Sequence, residues 1–346
     1  STVTQTGQAA ARRAFPDART TYFPLDFSPL VRRFQSAFDP GVFVLMETEL
    51  WPNFLAEAHR RGTRCFMLNA KISDRSFPRY RRLRGVLAPA FGALDGICTQ
   101  TDVDAERFAT LGIPEARIQV VGNCKFDLPT EPLTADERAA LARDFGMGDG
   151  RWIVAGSTHP GEETLLLDAL AEVRRTHATA RLLLCPRHPE RFDEVARLVR
   201  ERGWTGARAS EGGHPAADVI VLDRMGVLAR AYGLGEIAVV GGSFTPIGGH
   251  NLLEAAAHGL PVVFGPHMHA QREIMRLMRE QNAGVQTAPE ALAGELTRLL
   301  GDAPARAEQA RRGLRVVESN RGSAARGVAA IARWLGRSQP SDRRAG

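Results

Sequence analysis

The chain has 346 residues and is 44% hydrophobic, enough to bury one large core or two ordinary ones. Its 45 Lys and Arg outnumber its 39 Asp and Glu, a net charge of +6 that points to an anionic partner such as phosphate, a lipid head group or nucleic acid. Four widely spaced cysteines, Cys65, Cys98, Cys124 and Cys185, form no CxxC pair. That disfavours a zinc site or a disulfide framework and suits a reducing compartment, and no apolar run is long enough for a membrane-spanning helix.

In chain order, "STVTQTGQAAARRAF" reads as a strand end, a turn and a helix, so we expect at least one βα unit to precede it. Predicted strands follow at Thr20 to Phe23, Val42 to Met46, Arg64 to Asn69, Gly96 to Thr99 and Ile118 to Gly122, each separated by a helix-length segment. Short buried runs alternating with helices imply parallel βαβ topology. The Pro-, Gly- and acid-rich stretch from Leu128 to Gly150 breaks the pattern. A second series begins beyond it: Trp152 to Ala155, Arg181 to Cys185, Val219 to Leu222, Ile237 to Val240 and Pro261 to Phe264. We therefore expect an α/β chain with a Rossmann-like domain over 1–128, a linker over 129–150, a second such domain over 151–336 and a disordered tail over 337–346. Two doubly wound sheets facing a central cleft would bring their carboxyl ends to one ligand site.

The motifs fall at those strand ends. "VVGGSFTPIGGHNLLEAAAHGLPVVFGP" is strand, glycine loop, helix and strand. Glycines 241, 242, 248 and 249 let backbone approach a ligand, and a helix starting near Asn251 would offer N–H groups to a phosphate. Asn251 caps that turn in this reading, and Glu254 accepts from a ribose. The loop is no GxGxxG fingerprint, which disfavours hydride transfer. In "WIVAGSTHPGEE", Ser157 or Thr158 is the expected cap, with Glu162 and Glu163 in the first helical turn, while His159 is the residue that capping does not require. Arg187, after the strand in "LLLCPRHPERF", is placed to hold a phosphate or to make a rim salt bridge. Arg75, Arg79 and Arg82 recur at helical spacing beside Phe77 and Tyr80, a basic face suited to lipid phosphates or an RNA backbone, though no RNA-binding motif accompanies it. Lys125 in "VVGNCKFD" follows a strand end, where it can stabilise negative charge. Glu47 and Glu49 in "METELWPNFL" close another; one is expected to cap the helix at Trp51-Pro52, and Glu47 to stand nearer the chemistry.

Together, "METELWPN", "NAKISDRSFPRYRRL", "GNCKFD", "GSTHPGEE", "PRHPERF" and "GGSFTPIGGHNLLEAAAHGLPVVFGPHM" resemble the 3-deoxy-D-manno-octulosonic acid (Kdo) transferase family of GT-B glycosyltransferases, up to about residue 280. The resemblance implies two Rossmann-like domains, CMP-Kdo as donor substrate, no cofactor or metal, and a lipid A precursor as acceptor. It also implies inverting transfer with CMP leaving, in lipopolysaccharide synthesis at the anionic cytoplasmic face of a Gram-negative inner membrane, with no nucleic acid partner. Carried over by position, the CMP contacts fall on Pro186, Arg187, Met225, Gly226, Val227 and on Asn251, Leu252, Leu253 and Glu254, with Ser157, His159, Gly248 and Gly249 around them. Glu47 and Lys125 take the transition-state role, and Glu49 is the lesser candidate. The family's general-base glutamate has no counterpart in this chain, so the chain alone is expected to be inactive and to expose a sheet edge. Two other readings are a related GT-B enzyme using a UDP-sugar and a catalytically incomplete nucleotide- and lipid-binding fragment.

Overall fold

The computed structural model describes residues 1–127 and 130–336, and the tail expected at 337–346 lies outside them. The chain forms two compact units, residues 1–127 with the segment from 322 onward, and residues 128–321. The first holds parallel strands β1 (Val42–Met46), β2 (Arg64–Ala70), β3 (Gly96–Thr99) and β4 (Ile118–Val120), paired in that order. Side chains alternate across this sheet because strand residues point to opposite faces. Leu45, Cys65, Met67 and Ile97 face a core that also contains Phe54, Leu55, Phe91 and Phe108. Phe66, Leu68 and Cys98 face the other way, toward Ala330, Ile331 and Trp334 of helix Ser323–Gly336. Trp334 stacks on Phe66 with ring centroids 6.1 Å apart, and a Cβ on Gly96 would fall 2.3 Å from its indole. That helix therefore completes the first unit, not the second, and the expected boundaries change accordingly.

Two expected features of this unit come out differently. Thr20 to Phe23 contributes an isolated bridge, Thr2 to Tyr22, in place of a strand. Pro24 removes the next backbone donor, and Phe23 turns into an aromatic cluster, 4.9 Å from Phe54 between centroids. Helix Pro52–Arg61 is capped by neither Glu47 nor Glu49: Asp26 accepts from the N–H groups of Asn53 and Phe54 at 3.1 and 2.8 Å. A capping carboxylate supplied by a distant segment satisfies the same orphan donors as a local one. We expect Asp26→Ala to cost about 1 kcal/mol in urea unfolding of the first unit, and Glu49→Ala to leave the midpoint unchanged.

The second unit carries strands β5 (Arg151–Thr158), β6 (Ala180–Pro186), β7 (Gly206–Arg208), β8 (Val219–Val221), β9 (Ile237–Val240), β10 (Val262–Phe264) and β11 (Gly284–Gln286), all parallel, in the order β11-β10-β9-β5-β6-β8-β7. Sequence periodicity misses β7 and β11, three-residue edge strands too short to show one. Ile153, Ala155, Leu182, Leu184, Val219, Val221, Ile237 and Val239 build one buried face against helices Glu162–Val173, Phe192–Glu201 and Leu292–Gly301. Val154, Leu183, Ile220 and Ala238 between them are buried on the other. A sheet covered on both faces must be apolar on both, which is why these strands read as unbroken apolar runs. The stretch expected as a linker is part of this unit. Its helix Ala135–Asp144 opens with a Thr134–Glu137 capping box, Arg138 donates to the Gly233 and Leu234 carbonyls at 2.6 and 2.8 Å, and Phe145 is fully buried.

Candidate functional site

The strand order of the second unit reverses at β5: the chain moves outward through β6 and then returns to the other side through β9. Loops after β5 and β9 therefore part at a topological switch point, where open parallel sheets bind ligands. Ser157 there adopts φ 58, a left-handed conformation that costs energy in a residue other than glycine. The two loops touch: a Cβ on Gly241 would fall 2.5 Å from the Ser157 carbonyl oxygen, so only glycine fits.

Glu162 fastens them together. The helix it belongs to begins only at Glu162, after Gly161, and neither Ser157 nor Thr158 caps it. Instead the Glu162 carboxylate accepts from the N–H groups of His159 at 2.9 Å, Gly242 at 2.7 Å, Ser243 at 3.0 Å and Phe244 at 2.8 Å. Burial raises its pKa above the usual glutamate value, against the pull of these N–H donors. Of the first glycine pair, expected to cradle a ligand, the Gly242 N–H is thus occupied by the protein's own carboxylate and the Gly241 N–H by the Gly156 carbonyl at 2.8 Å. Neighbouring Glu163 accepts from Thr158 at 2.8 Å and from Arg191 at 2.6 Å.

His159 meets His250 across the loops, Nε2 to Nε2 at 2.9 Å, with rings stacked 5.1 Å apart and 6° from parallel. His188 stands edge-on to His159 at 5.3 Å. Burial first, and then His159, lower the His250 pKa to about 4; burial and His188 also lower that of His159. A histidine depressed on folding binds its proton only in the unfolded chain between the two pKa values. Stability from His250 is therefore complete above about 6.5 and lost as pH falls toward 4. We expect this loss to be smaller in His250→Gln, read as the difference between urea midpoints of the two proteins at pH 7 and pH 4.5.

Arg187 extends from the end of β6, its N–H donating to the Thr158 carbonyl at 2.9 Å and its side chain exposed.

 The same 2.9 Å bond fixes the backbone from which its guanidinium projects. Among the described residues that guanidinium makes no ion pair, whereas Arg191, Arg208 and Arg224 nearby are each held by a carboxylate. The rim salt bridge weighed for Arg187 is therefore not formed. Its charge is felt instead by half-buried Glu254, whose pKa is raised by burial against the opposing effects of Asn251 and Arg187. Asn251 Oδ1 accepts from the Leu253 N–H at 3.1 Å. The helix expected near Asn251 is a single turn, Leu253–Ala256, too short to sum an appreciable dipole. Leu252 and Leu253 are fully buried, so only their backbone can reach a ligand. Met225 is exposed beside Gly226 at φ 80 and Val227, and the following turn is tied down where His258 meets the Ala229 carbonyl at 2.6 Å. Gly248 and Gly249, at φ 114 and 79, are buried, and the Gly249 N–H donates to the Gly242 carbonyl at 2.7 Å.

In the first unit, Glu47 directly follows β1 at φ 60 and Asn69 near the end of β2 has φ 59, so two more left-handed residues stand at strand ends. Glu47 pairs with Lys71 at 3.8 Å, a neighbour not anticipated from the sequence. Lys125 sits in the short turn Cys124–Phe126, which Asn69 braces by accepting from the Cys124 N–H at 3.0 Å. Among the described residues its ammonium makes no ion pair. Glu49 is exposed. Arg79 and Arg82 lie on helix Phe77–Arg82, but Arg75 precedes it, so the three do not form one helical stripe. All three are exposed, with Arg81 and Arg84 beside them. Sequence reasoning placed Glu162 in an ordinary first helical turn and did not single out His250; the signal was an acid at a helix start and two imidazoles beside glycines that the topology brings together.

Residues 1–128 match the family model described as 3-deoxy-D-manno-octulosonic-acid transferase (kdotransferase). A 3-deoxy-D-manno-octulosonic acid transferase of Haemophilus influenzae is 34% identical over 327 residues, covering 93% of this chain and 76% of the relative. Among solved structures, the C-terminal CMP-Kdo binding domain of WaaA from Acinetobacter baumannii superposes with a TM-score of 0.50 at 28% identity, covering 53% of this chain and 97% of that one. A glycosyltransferase of Rickettsia africae gives 0.56 at 13% identity, covering 90% and 81%, a likeness of fold.

Proposed function

Since this chain belongs to the 3-deoxy-D-manno-octulosonic acid transferase family and has the GT-B glycosyltransferase fold, we propose that it transfers Kdo from CMP-Kdo to a lipid A precursor with inversion, releasing CMP. The observation that carries this reading is Arg187: a cation without a carboxylate partner among the described residues at the end of β6, beside half-buried Glu254 and the switch-point loops. A guanidinium in that position offers paired N–H donors to a phosphate.

In this reading the acceptor hydroxyl oxygen bonds to the anomeric carbon of Kdo and gives its proton to a base, while cleavage of the donor places the bonding electron pair on a phosphate oxygen of CMP. Arg187 stabilises that charge, so its contribution grows along the reaction and lowers the barrier. Glu254, positioned with Asn251, accepts from ribose hydroxyls, and the backbone of 225–227 and 251–253 frames the nucleoside. In the first unit the resemblance gives Glu47 and Lys125 the task of stabilising charge that develops at the sugar. Arginines 75, 79 and 82, with Leu83 and Val86 exposed nearby, support contact with the phosphates of a lipid acceptor and peripheral residence at an anionic membrane surface, which we assign to the cytoplasmic face of a Gram-negative inner membrane.

Calorimetric titration with CMP, UMP and UDP tests the donor assignment. We expect CMP to bind in preference to both uridine nucleotides, Arg187→Ala to weaken it about 10- to 100-fold through loss of a charged hydrogen-bonding partner, and Glu254→Ala to erode binding as well. Preference for uridine nucleotides would replace CMP-Kdo by a UDP-sugar donor.

A further inference from the structure

We propose that His159 and His250 form a phosphate-responsive pair: both rings are neutral while the donor site is empty, and together they take up one proton when a phosphate group settles beside Arg187. This inference rests on the donor assignment above and adds a protonation event to it.

The geometry restricts the pair to a small set of states. Their Nε2 atoms are 2.9 Å apart, which leaves room for one hydrogen between them, so one ring donates and the other accepts. Two imidazolium rings would place two hydrogens in that gap. A single additional proton is accommodated at Nδ1 of the donating ring, where it leaves the shared bond intact and creates a cationic donor. The pair thus holds one extra proton and no more, and titrates as a unit.

Its surroundings decide when that proton is bound. Arg187 and His188 follow β6, and both act to disfavour protonation of either ring. Arg191 opposes it at His159 but is itself neutralised by Glu163, which favours it. Glu162, on the same turn as His159, has its carboxylate engaged by the four backbone N–H groups. His269 lies behind the second glycine pair, its Nε2 2.9 Å from where a Gly248 Cβ would stand. Arg187 is the formal cation in this set without a carboxylate partner among the described residues. An arriving phosphate neutralises Arg187 and brings negative charge of its own, reversing the sign of the field at the rings. The proton comes from solvent and returns there on release, and no covalent bond changes.

The pair also touches the loop that must hold the donor. A Cβ on Gly242 would fall 2.8 Å from His250 Cδ2 and 3.4 Å from His159 Cδ2, so any shift of the rings is transmitted to the glycine turn. Both residues are therefore positioning residues in addition to being a charge reserve.

The test is calorimetric titration of the full chain with CMP at pH 7.5 in two buffers of different ionisation enthalpy, which yields protons taken up per CMP bound. We expect net uptake by the unaltered protein, and loss of that uptake in His159→Gln and His250→Gln with weaker binding retained. Imidazole nitrogen resonances of the unaltered, 15N-labelled chain report the same event without substitution: neutral rings when free, one cationic ring with CMP. CMP binding without uptake, uptake undiminished in both variants, or rings that stay neutral when CMP is bound would each overturn the pair's role while leaving the donor assignment standing. Failure of the unaltered chain to bind CMP would overturn the donor assignment and this inference with it.

Discussion

Trp334→Ala is expected to destabilise the first unit by about 3–5 kcal/mol, the usual cost of truncating a large buried aromatic. The indole stacks on Phe66 and covers Gly96, and with Ala330 and Ile331 it closes the sheet face formed by Phe66, Leu68 and Cys98. Truncation leaves a cavity between helix and sheet that the strands cannot fill without losing their pairing. A second readout follows from Cys98. Its thiol lies under this helix and burial pushes its pKa up to about 12, so it should be inert to alkylating reagents in the native protein. Faster alkylation of Cys98 in Trp334→Ala, with Cys185 in the second unit still protected, would place the damage where the packing predicts. Equal urea midpoints and equal labelling rates would show that the helix contributes little to the first unit.

Glu162→Ala should have a comparable effect on the second unit. The substitution removes the shared acceptor of four backbone N–H groups at the switch point. A buried donor without a partner costs about 1–3 kcal/mol; allowing for relaxation and water entry, we expect a total loss of roughly 3–5 kcal/mol. Glu162→Gln is informative because it preserves volume. An amide can keep one oxygen facing two of the donors but turns its NH2 toward the other two, so it should recover only part of the loss. Hydrogen exchange at Gly242, Ser243 and Phe244 distinguishes this from general loosening: these amides should exchange much faster in both variants, while β6 and β8 remain protected in Glu162→Gln. Native-like protection of the three amides in Glu162→Ala would mean that they have other partners and that the carboxylate is not what holds the loop.

Several features were legible in the sequence for identifiable reasons. β3 and β9 lie where the apolar runs place them, because a buried parallel strand must be apolar on both faces and is bounded by polar loops; β1 does too, although Val42, Val44 and Met46 are exposed on it. Motif order was legible too: turns that need glycine or a strand-end polar residue keep those residue types at fixed spacing, which supports the family assignment. Pairing partners were not legible. Asp26 caps a helix that lies a strand away in sequence, and Glu47 meets Lys71 rather than a residue of its own motif. Such contacts depend on which ends of which elements fold together, and local propensity carries no record of that.

The fate of the glycine loop shows the same division. Its sequence permits a close backbone approach, but the approaching group at Gly242 to Phe244 is the carboxylate of Glu162. A donor's phosphate is thereby directed toward Arg187 and the His159–His250 side in the reading proposed above. Helix Ser323–Gly336 is a further case: its apolar pattern announces a buried face, yet nothing local says that the face belongs to the first sheet.

By itself, then, the sequence determined two parallel α/β units, the positions of most strands and the family's motifs, because periodicity and turn chemistry are properties of neighbouring residues. Only the tertiary structure decided that 130–150 belongs to the second unit and 323–336 to the first, that Arg187 keeps its charge free of a carboxylate, and that His159 and His250 share a hydrogen. Each of these is a contact between segments far apart in the chain, formed because burial brings them together and a polar group taken from water must find a partner.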